Sequence, residues 1–383
     1  MKDIALDCFL PPRSPARKAL AHVWRGDNIT IISSPPGAGK TEIVSSIAAV
    51  LTCLTSNITV ASPTIAGGYD IAQRIDRKLD SFFKVALVGA SFNERKSKGI
   101  KVYKTASKMP KNTISVRTVA SCAYAKNIDI LIVDEAYQVT ALDLRQAASG
   151  AKQLLLVGDP GQIGPVVTFD TSCFGTVNNP ASKGPEVFKN LGASVVSLDK
   201  TFRLGDKTVE LIAPLYDFAF TSSRPPAFIE GEKEIRTVDY STAQTPADPM
   251  AMSEASKIAQ NFIGKHYVYN EKKRLLKAED IAIIATRNEQ IALLEALAPK
   301  GVKIGTADSL QGRQYPAVVA IDPLLGARRA SGHALTIGRA CVMCSRHIAS
   351  LVWLSSSNVH SLIDESDAQD KNVHHGLRER LGF

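Results

Sequence analysis

Residues Ser34-Pro35-Pro36-Gly37-Ala38-Gly39-Lys40-Thr41 form a loop of small residues between an apolar run (Ile29, Ile31, Ile32) and a stretch of helical pattern. A strand, a phosphate-cradling loop and a helix in this order are the layout of a P-loop nucleotide site. Small residues let backbone N–H groups point inward at phosphate oxygens. Lys40 adds a charge toward the β- and γ-phosphates, and Thr41 offers a hydroxyl to Mg²⁺. The implied ligand is a nucleoside triphosphate, ATP in the simplest case, cradled by Pro36, Gly37, Ala38, Gly39, Lys40 and Thr41. Ser34 stands where the pattern has its first glycine, so that turn must be made with a Cβ present.

The surrounding sequence alternates strands and helices. Strands are expected at 28–33, 57–62, 128–133, 153–158 and 194–198, with helices at 40–54, near 69–79 and at 139–149, and a loop rich in Gly, Pro and Asn at 159–185. Parallel strands joined by right-handed helical crossovers follow from that alternation, with ligands gathered at the carboxyl ends of the strands. From about residue 200 the pattern begins again. Helices are expected at 206–220, 252–266, 288–298 and near 334–346, and strands at 280–285, 302–307, 317–321 and 350–355. The segment 221–226 reads as a loop, and the polar stretch after Asp364 as a weakly ordered tail.

The chain has 383 residues, too many for one compact core. No apolar run is long enough to span a bilayer, and the short apolar patch of residues 1–12 is broken by Asp7 and lacks a signal layout. The expectation is an intracellular, cytoplasmic protein with no membrane partner. A formal charge of +9 favours a polyanion. The charge is uneven: between Arg77 and Arg117 lie Lys78, Lys84, Arg95, Lys96, Lys98, Lys101, Lys104, Lys108 and Lys111, against Asp80 and Glu94. This stretch reads either as a solvated loop or as a basic insertion that grips a strand of nucleic acid. Cys8, Cys53, Cys122, Cys173, Cys341 and Cys344 have no disulfide framework spacing. The lone C-x-x-C at 341–344 lacks further zinc ligands, His333 and His347 supplying no recognised pattern, so buried thiols are expected.

Ile128 to Val133 is an apolar strand that ends on Asp134-Glu135. Paired carboxylates there suit nucleotide hydrolysis, Asp134 in the Mg²⁺ shell and Glu135 orienting or deprotonating the attacking water; the alternative is an ordinary acidic helix start. Leu154 to Val166 then contains Gly158-Asp159-Pro160-Gly161-Gln162-Ile163-Gly164-Pro165. Here the chain resembles the superfamily 1 helicases, whose third motif reads G-D-x-x-Q-L-x-P, and most closely the branch of the nonsense-mediated-decay and nidovirus helicases. Other stretches follow in the family's order. Val60 to Thr64 and Arg117 to Cys122 resemble two strand-contacting motifs, and Leu198 to Arg203 is similar to L-x-x-x-Y-R. Ile283 to Gln290 looks like I-T-P-Y-x-x-Q without its proline and tyrosine. Thr306 to Gln314 is close to T-V-D-S-x-Q-G-x-E with Gln314 in place of the glutamate, and Arg339 to His347 resembles R-x-x-N-V-A-x-T-R-A.

The resemblance implies an α/β fold of two RecA-like P-loop domains with mainly parallel sheets and an ATP site in the interdomain cleft. The domains would be residues 1–199, with the basic insertion 77–117, and residues 200–383. It implies that Gln162 senses the γ-phosphate, that Phe202 stacks on the base, that Gln314 lies toward the nucleotide sugar, and that Arg203 and Arg346 reach the γ-phosphate. Thr64, Thr118, Thr286 and Ser309 would hold the phosphates of single-stranded DNA or RNA. The family's adenine-reading glutamine upstream of the loop has no counterpart in Ser14 to Lys18. The implied function is an ATP-hydrolysing translocase or helicase, expected polarity 5′ to 3′; the rival is a nucleic-acid clamp with weak ATPase activity, which Gln314 and the altered last motif favour.

Overall fold

The computed structural model describes residues 10–52, 55, 57–79, 83–167, 171–175, 179–332, 334–368 and 370–383. Asp7, Cys8, Cys53, Asp80 and His333 lie outside the described residues. The chain divides into two compact units, residues 1–160 with 164–199, and residues 161–163 with 200–383.

The first unit runs α1 (Pro15–Arg25), β1 (Ile29–Ser33), α2 (Lys40–Leu51), β2 (Ile58–Ser62), α3 (Ile65–Asp76), β3 (Lys84–Val88), β4 (Lys101–Tyr103) and β5 (Thr113–Thr118). It continues with α4 (Val119–Cys122), β6 (Ile128–Val133), α5 (Ala141–Ala147), β7 (Ala151–Gly158), α6 (Gly184–Asn190) and β8 (Ser194–Ser197). Among the described residues these strands form an eight-stranded sheet in the order β4-β3-β5-β2-β6-β7-β1-β8, and every neighbouring pair is parallel. A parallel sheet is covered on both faces, and β6 shows why its sequence is continuously apolar. Ile130 and Ile132 enter the apolar cluster of α2 and α3, while Leu131 and Val133 enter the one beneath α4 and α5. Each such side chain contributes about 1.5–3 kcal/mol on burial.

The basic stretch 77–117 is not a single solvated loop. It supplies β3, β4 and most of β5, three strands of the main sheet. Val85 and Leu87 are buried in the core while Lys84 and Lys101 stay exposed. The surrounding lysines had masked these strands, of which β4 is only three residues long and β5 has only two apolar positions, Ile114 and Val116.

The second unit runs β9 (Lys200–Thr201), α7 (Asp206–Ile212), β10 (Thr221–Ser222), β11 (Ala227–Ile229), β12 (Ile235–Asp239), α8 (Pro249–Phe262), β13 (His266–Tyr269), β14 (Lys272–Leu275) and β15 (Ile281–Ala285). Then come α9 (Asn288–Leu297), β16 (Lys303–Thr306), β17 (Tyr315–Ile321), α10 (Ile337–Cys344), β18 (His347–Ser355), α11 (Val359–Asp364) and α12 (Lys371–Leu381). Its main sheet, in the order β12-β18-β17-β15-β16, is also parallel throughout. A small antiparallel sheet, β11-β13-β14, stands beside it. The helix expected at 206–220 stops at Ile212, because Pro214 in the following short turn cannot continue an α-helix.

The expectation of a weakly ordered tail is overturned. α12 docks through buried His374, Leu377, Arg378 and Leu381. Arg378 grips Asp322 with two hydrogen bonds, Nε to Oδ2 at 3.1 Å and Nη2 to Oδ1 at 2.9 Å. Trp353 Nε1 and Ser355 Oγ donate to the same carboxylate at 3.1 and 2.9 Å. Burial alone would raise the Asp322 pKa, but the guanidinium and these donors outweigh it and hold the group below its ordinary value. No helix among the described residues is long and apolar enough to cross a membrane.

Candidate nucleotide and nucleic-acid site

The loop after β1 behaves as its composition dictates. Gly37 and Gly39 sit at φ 77° and 79°, in the left-handed region open to glycine, and Gly39 caps α2. Ser34 needs no such freedom: its φ is not positive, its N–H donates to Gly158 O at 2.9 Å, and its hydroxyl donates to Pro35 O at 3.0 Å. Lys40 and Thr41 open α2, so the loop's N–H groups and the positive end of the helix face one point.

β6, β7 and β1 are successive neighbours in the sheet, which brings their carboxyl ends together. Thr41 Oγ1 donates to Asp134 Oδ2 at 3.1 Å, and Lys40 Nζ stands 3.8 Å from Asp159 Oδ2. Lys40, Asp134 and Asp159 are all buried. Burial first, and then the Glu135 charge, push the Asp134 carboxyl up to about 7 against the pull of Lys40 and the hydrogen bonds from Glu135 N–H and Thr41. Glu135 adopts φ 52°, a left-handed conformation rare outside glycine, asparagine and aspartate. Gln138 Nε2 donates to its Oε2 at 3.3 Å. Two hard oxygen donors in contact, one a carboxyl whose charge is poorly solvated, make a chemically fitting pair for Mg²⁺ with a phosphate supplying further oxygens.

In the second unit, Gln162 Oε1 accepts from Gln311 Nε2 at 3.1 Å. Gly338 lies against the Gln162 backbone so closely that a Cβ there would fall 2.8 Å from its carbonyl oxygen. Arg203 and Arg346 converge on Ser345: Arg203 Nη1 donates to its carbonyl at 3.5 Å and Arg346 Nη2 to its hydroxyl at 3.0 Å. Arg346 is fully buried and also donates to Arg313 O at 3.5 Å, while Arg203 is half-buried. Beside them His347 is buried and pushed down to about 3, by desolvation first and then by Arg224, Arg203 and Arg346, so its imidazole is neutral. It shares a 2.8 Å hydrogen bond with Thr208 Oγ1, which in turn donates to Glu234. Phe202 presents its ring at 54% exposure, and Gln314 is exposed ahead of β17.

Thr118 ends β5, Thr64 follows the carboxyl end of β2, and Thr286 and Ser309 follow those of β15 and β16. Each pair lies at the strand ends of its own sheet where α/β proteins bind ligands. Thr64 Oγ1 accepts from Gly67 N at 3.0 Å and caps α3, which leaves its proton to donate. Thr286 is buried, and its N–H is held by Gln290 Oε1 at 3.0 Å. Ser309 is exposed but its hydroxyl donates to Thr306 O at 3.0 Å.

Sequence reasoning missed Asp159 as a partner of Lys40, Gln138 behind Glu135, Gln311 beside Gln162, and the Thr208–His347–Glu234 chain. Gln311 lies within a stretch already read as a motif, Thr306 to Gln314, and was a usable signal; Gln138 lies just beyond the acidic motif, in no stretch read as one. Thr208 and Glu234 carried none. Cys341 and Cys344 are buried and not joined in a disulfide, Cys341 in contact with Tyr216 OH at 3.2 Å.

The first unit is thus a P-loop domain with an acidic strand end, followed by a second parallel α/β unit carrying paired arginines. Residues 16–179 match the AAA domain family. The chain is 22% identical over 369 residues to "DNA replication ATP-dependent helicase/nuclease DNA2" of Xenopus laevis, covering 83% of this chain and 34% of that protein. Among solved structures it is similar to arterivirus nonstructural protein 10 (helicase), with a TM-score of 0.52 at 16% identity over 91% of this chain and 63% of the other. The same helicase in complex with DNA gives 0.53 at 16% identity, over 91% and 65%. The chain therefore spans about a third of the curated relative and under two thirds of these viral chains. The AAA domain match covers under half of the chain, and the likeness to the solved helicases is one of fold.

Proposed function

We propose that this chain is an ATP-dependent translocase of helicase type that moves on single-stranded DNA or RNA, with 5′-to-3′ polarity. The contact of Thr41 with Asp134, beside Lys40 and Glu135 at the end of β6, carries the reading. Lys40 and the loop amides bind the β- and γ-phosphates, and Glu135, steadied by Gln138, accepts a proton from the attacking water. Thr41 and Asp134 would hold Mg²⁺, which when bound neutralises charge on the phosphate oxygens. Phe202 offers a stacking surface to the base, with Gln314 toward the sugar. Arg203 and Arg346 supply cations to the terminal phosphate, a contribution of roughly 10³–10⁵ in rate where arginine fingers act. Thr64, Thr118, Thr286 and Ser309 hold the strand through its phosphates, which fixes grip without reading sequence.

The burial of Arg346 favours a second reading, a strand clamp that hydrolyses slowly. ATP hydrolysis measured without polymer, with single-stranded DNA and with single-stranded RNA separates the two. Stimulation by either strand, abolished in Lys40→Ala, is the expected result. Strand binding without stimulation selects the clamp, and neither binding nor stimulation overturns both.

A further inference from the structure

A cavity of ≈ 360 Å³ opens at the amino-terminal ends of β2, β5 and β6, at the opposite end of the first unit's sheet from the P-loop. Its lining is unlike the apolar faces elsewhere on that sheet. Along β5, Ile114 and Val116 point into the α2–α3 core, so the alternating residues Thr113, Ser115 and Arg117 share the other face, and all three line the cavity. Thr59 from β2 meets Ser115 there, the two hydroxyls 2.7 Å apart and both buried. Their mutual bond uses one proton, which leaves the second free to donate. Lys111 and Lys126 complete the lining, and among the described residues neither an aspartate nor a glutamate contributes to it.

Arg117 is the residue that demands an explanation. It is 9% exposed, and its Nε has no hydrogen-bond partner among the described residues. Cys122 offers it no countercharge, since burial pushes that thiol up to about 12. Desolvation lowers the guanidinium's own pKa from its ordinary value, yet an arginine stays charged at neutral pH. A buried cation without a paired anion is strongly unfavourable, and here three cations line one cavity with no acid among the described residues to match.

We propose that this cavity is a second anion site, for the phosphate group of a small molecule no larger than a mononucleotide. Arg117 provides bidentate recognition, Lys111 and Lys126 add charge, and the Thr59–Ser115 pair donates the remaining proton. The volume falls in the range of small-ligand pockets, and the site is independent of the P-loop.

The test uses the full chain carrying Lys40→Ala, which weakens the P-loop as a competing phosphate site. Inorganic pyrophosphate is titrated calorimetrically without Mg²⁺, then in competition with AMP and with a short oligothymidylate. Saturable pyrophosphate binding that falls about tenfold or more on adding Arg117→Gln supports the site. Displacement by AMP identifies a nucleotide as the source of the phosphate, and its absence points to an inorganic anion. Should Arg117→Gln fail to fold by circular dichroism, Lys126→Ala and Ser115→Ala replace it, each expected to weaken binding about threefold. The proposal is overturned if pyrophosphate does not saturate the Lys40→Ala protein, if binding is indifferent to Arg117, Lys126 and Ser115, or if only the oligonucleotide depends on Arg117.

Discussion

At the scale of single residues, the carboxyl end of β6 concentrates unfavourable electrostatics. Asp134 is a carboxyl raised from 3.8 to about 7, so the folded protein binds a proton that the unfolded chain has released. Its penalty is absent below the unfolded value, grows as pH rises between 3.8 and about 7, and is fully present above that window. Asp134→Asn is therefore expected to stabilise the ligand-free protein at pH 8 by on the order of 2–4 kcal/mol, and to leave its stability near pH 4 unchanged. Denaturant melts at the two pH values check this, and equal stability of the variant and the parent at pH 8 would show that the carboxyl carries no such penalty. On the proposed role of Glu135 as general base, Glu135→Gln is expected to keep ATP binding while lowering turnover by about 10² or more, since the shape is retained. Single-turnover hydrolysis at the wild-type rate would move the base elsewhere.

At the scale of elements, the short segment 161–163 and α12 show how the second unit is tied together. Gln162 is held from two sides, by the Gln311 amide and by the close backbone of Gly338. Gly338→Ala forces backbone to shift and is expected to destabilise by about 1–3 kcal/mol. Gln311→Ala removes only the hydrogen bond, so turnover should fall while the melting temperature stays within error of the parent. A matched decline in both would make Gln311 a structural residue rather than one that positions Gln162. In α12 the decisive pair is Arg378 with Asp322, both at most 2% exposed. Arg378→Met strands a buried carboxylate and should cost about 3–5 kcal/mol at neutral pH. Asp322 is held below its ordinary value, so its stabilisation is present above the unfolded value of 3.8 and is lost as pH falls through the lower folded one. The difference between the variant and the parent should shrink in acid, as urea melts at pH 3 and pH 7 would show.

At the scale of the whole molecule, the formal charge of +9 sets a salt dependence as well as an affinity. Replacing exposed Lys101, Lys104 and Lys108 with glutamine should weaken single-strand binding and lower the slope of log affinity against log salt by roughly 0.7 for each phosphate no longer neutralised. An unchanged slope would assign these lysines to solvent alone. The nucleotide loop, the acidic end of β6 and the order of the later motifs were legible because each is a run of neighbouring residues whose backbone geometry and chemistry are local. The strands within 77–117 were hidden by lysines at their exposed ends. α12 was hidden because its apolar stripe is narrow and its anchor, Asp322, sits 56 residues away. The sequence by itself determined one P-loop, two alternating α/β halves and the order of the motifs along them. Only the tertiary structure decided which buried charges find partners: Arg378 meets Asp322, and Arg117 meets no acid among the described residues. Such pairings depend on which distant strands become neighbours, and local propensity carries no record of that choice.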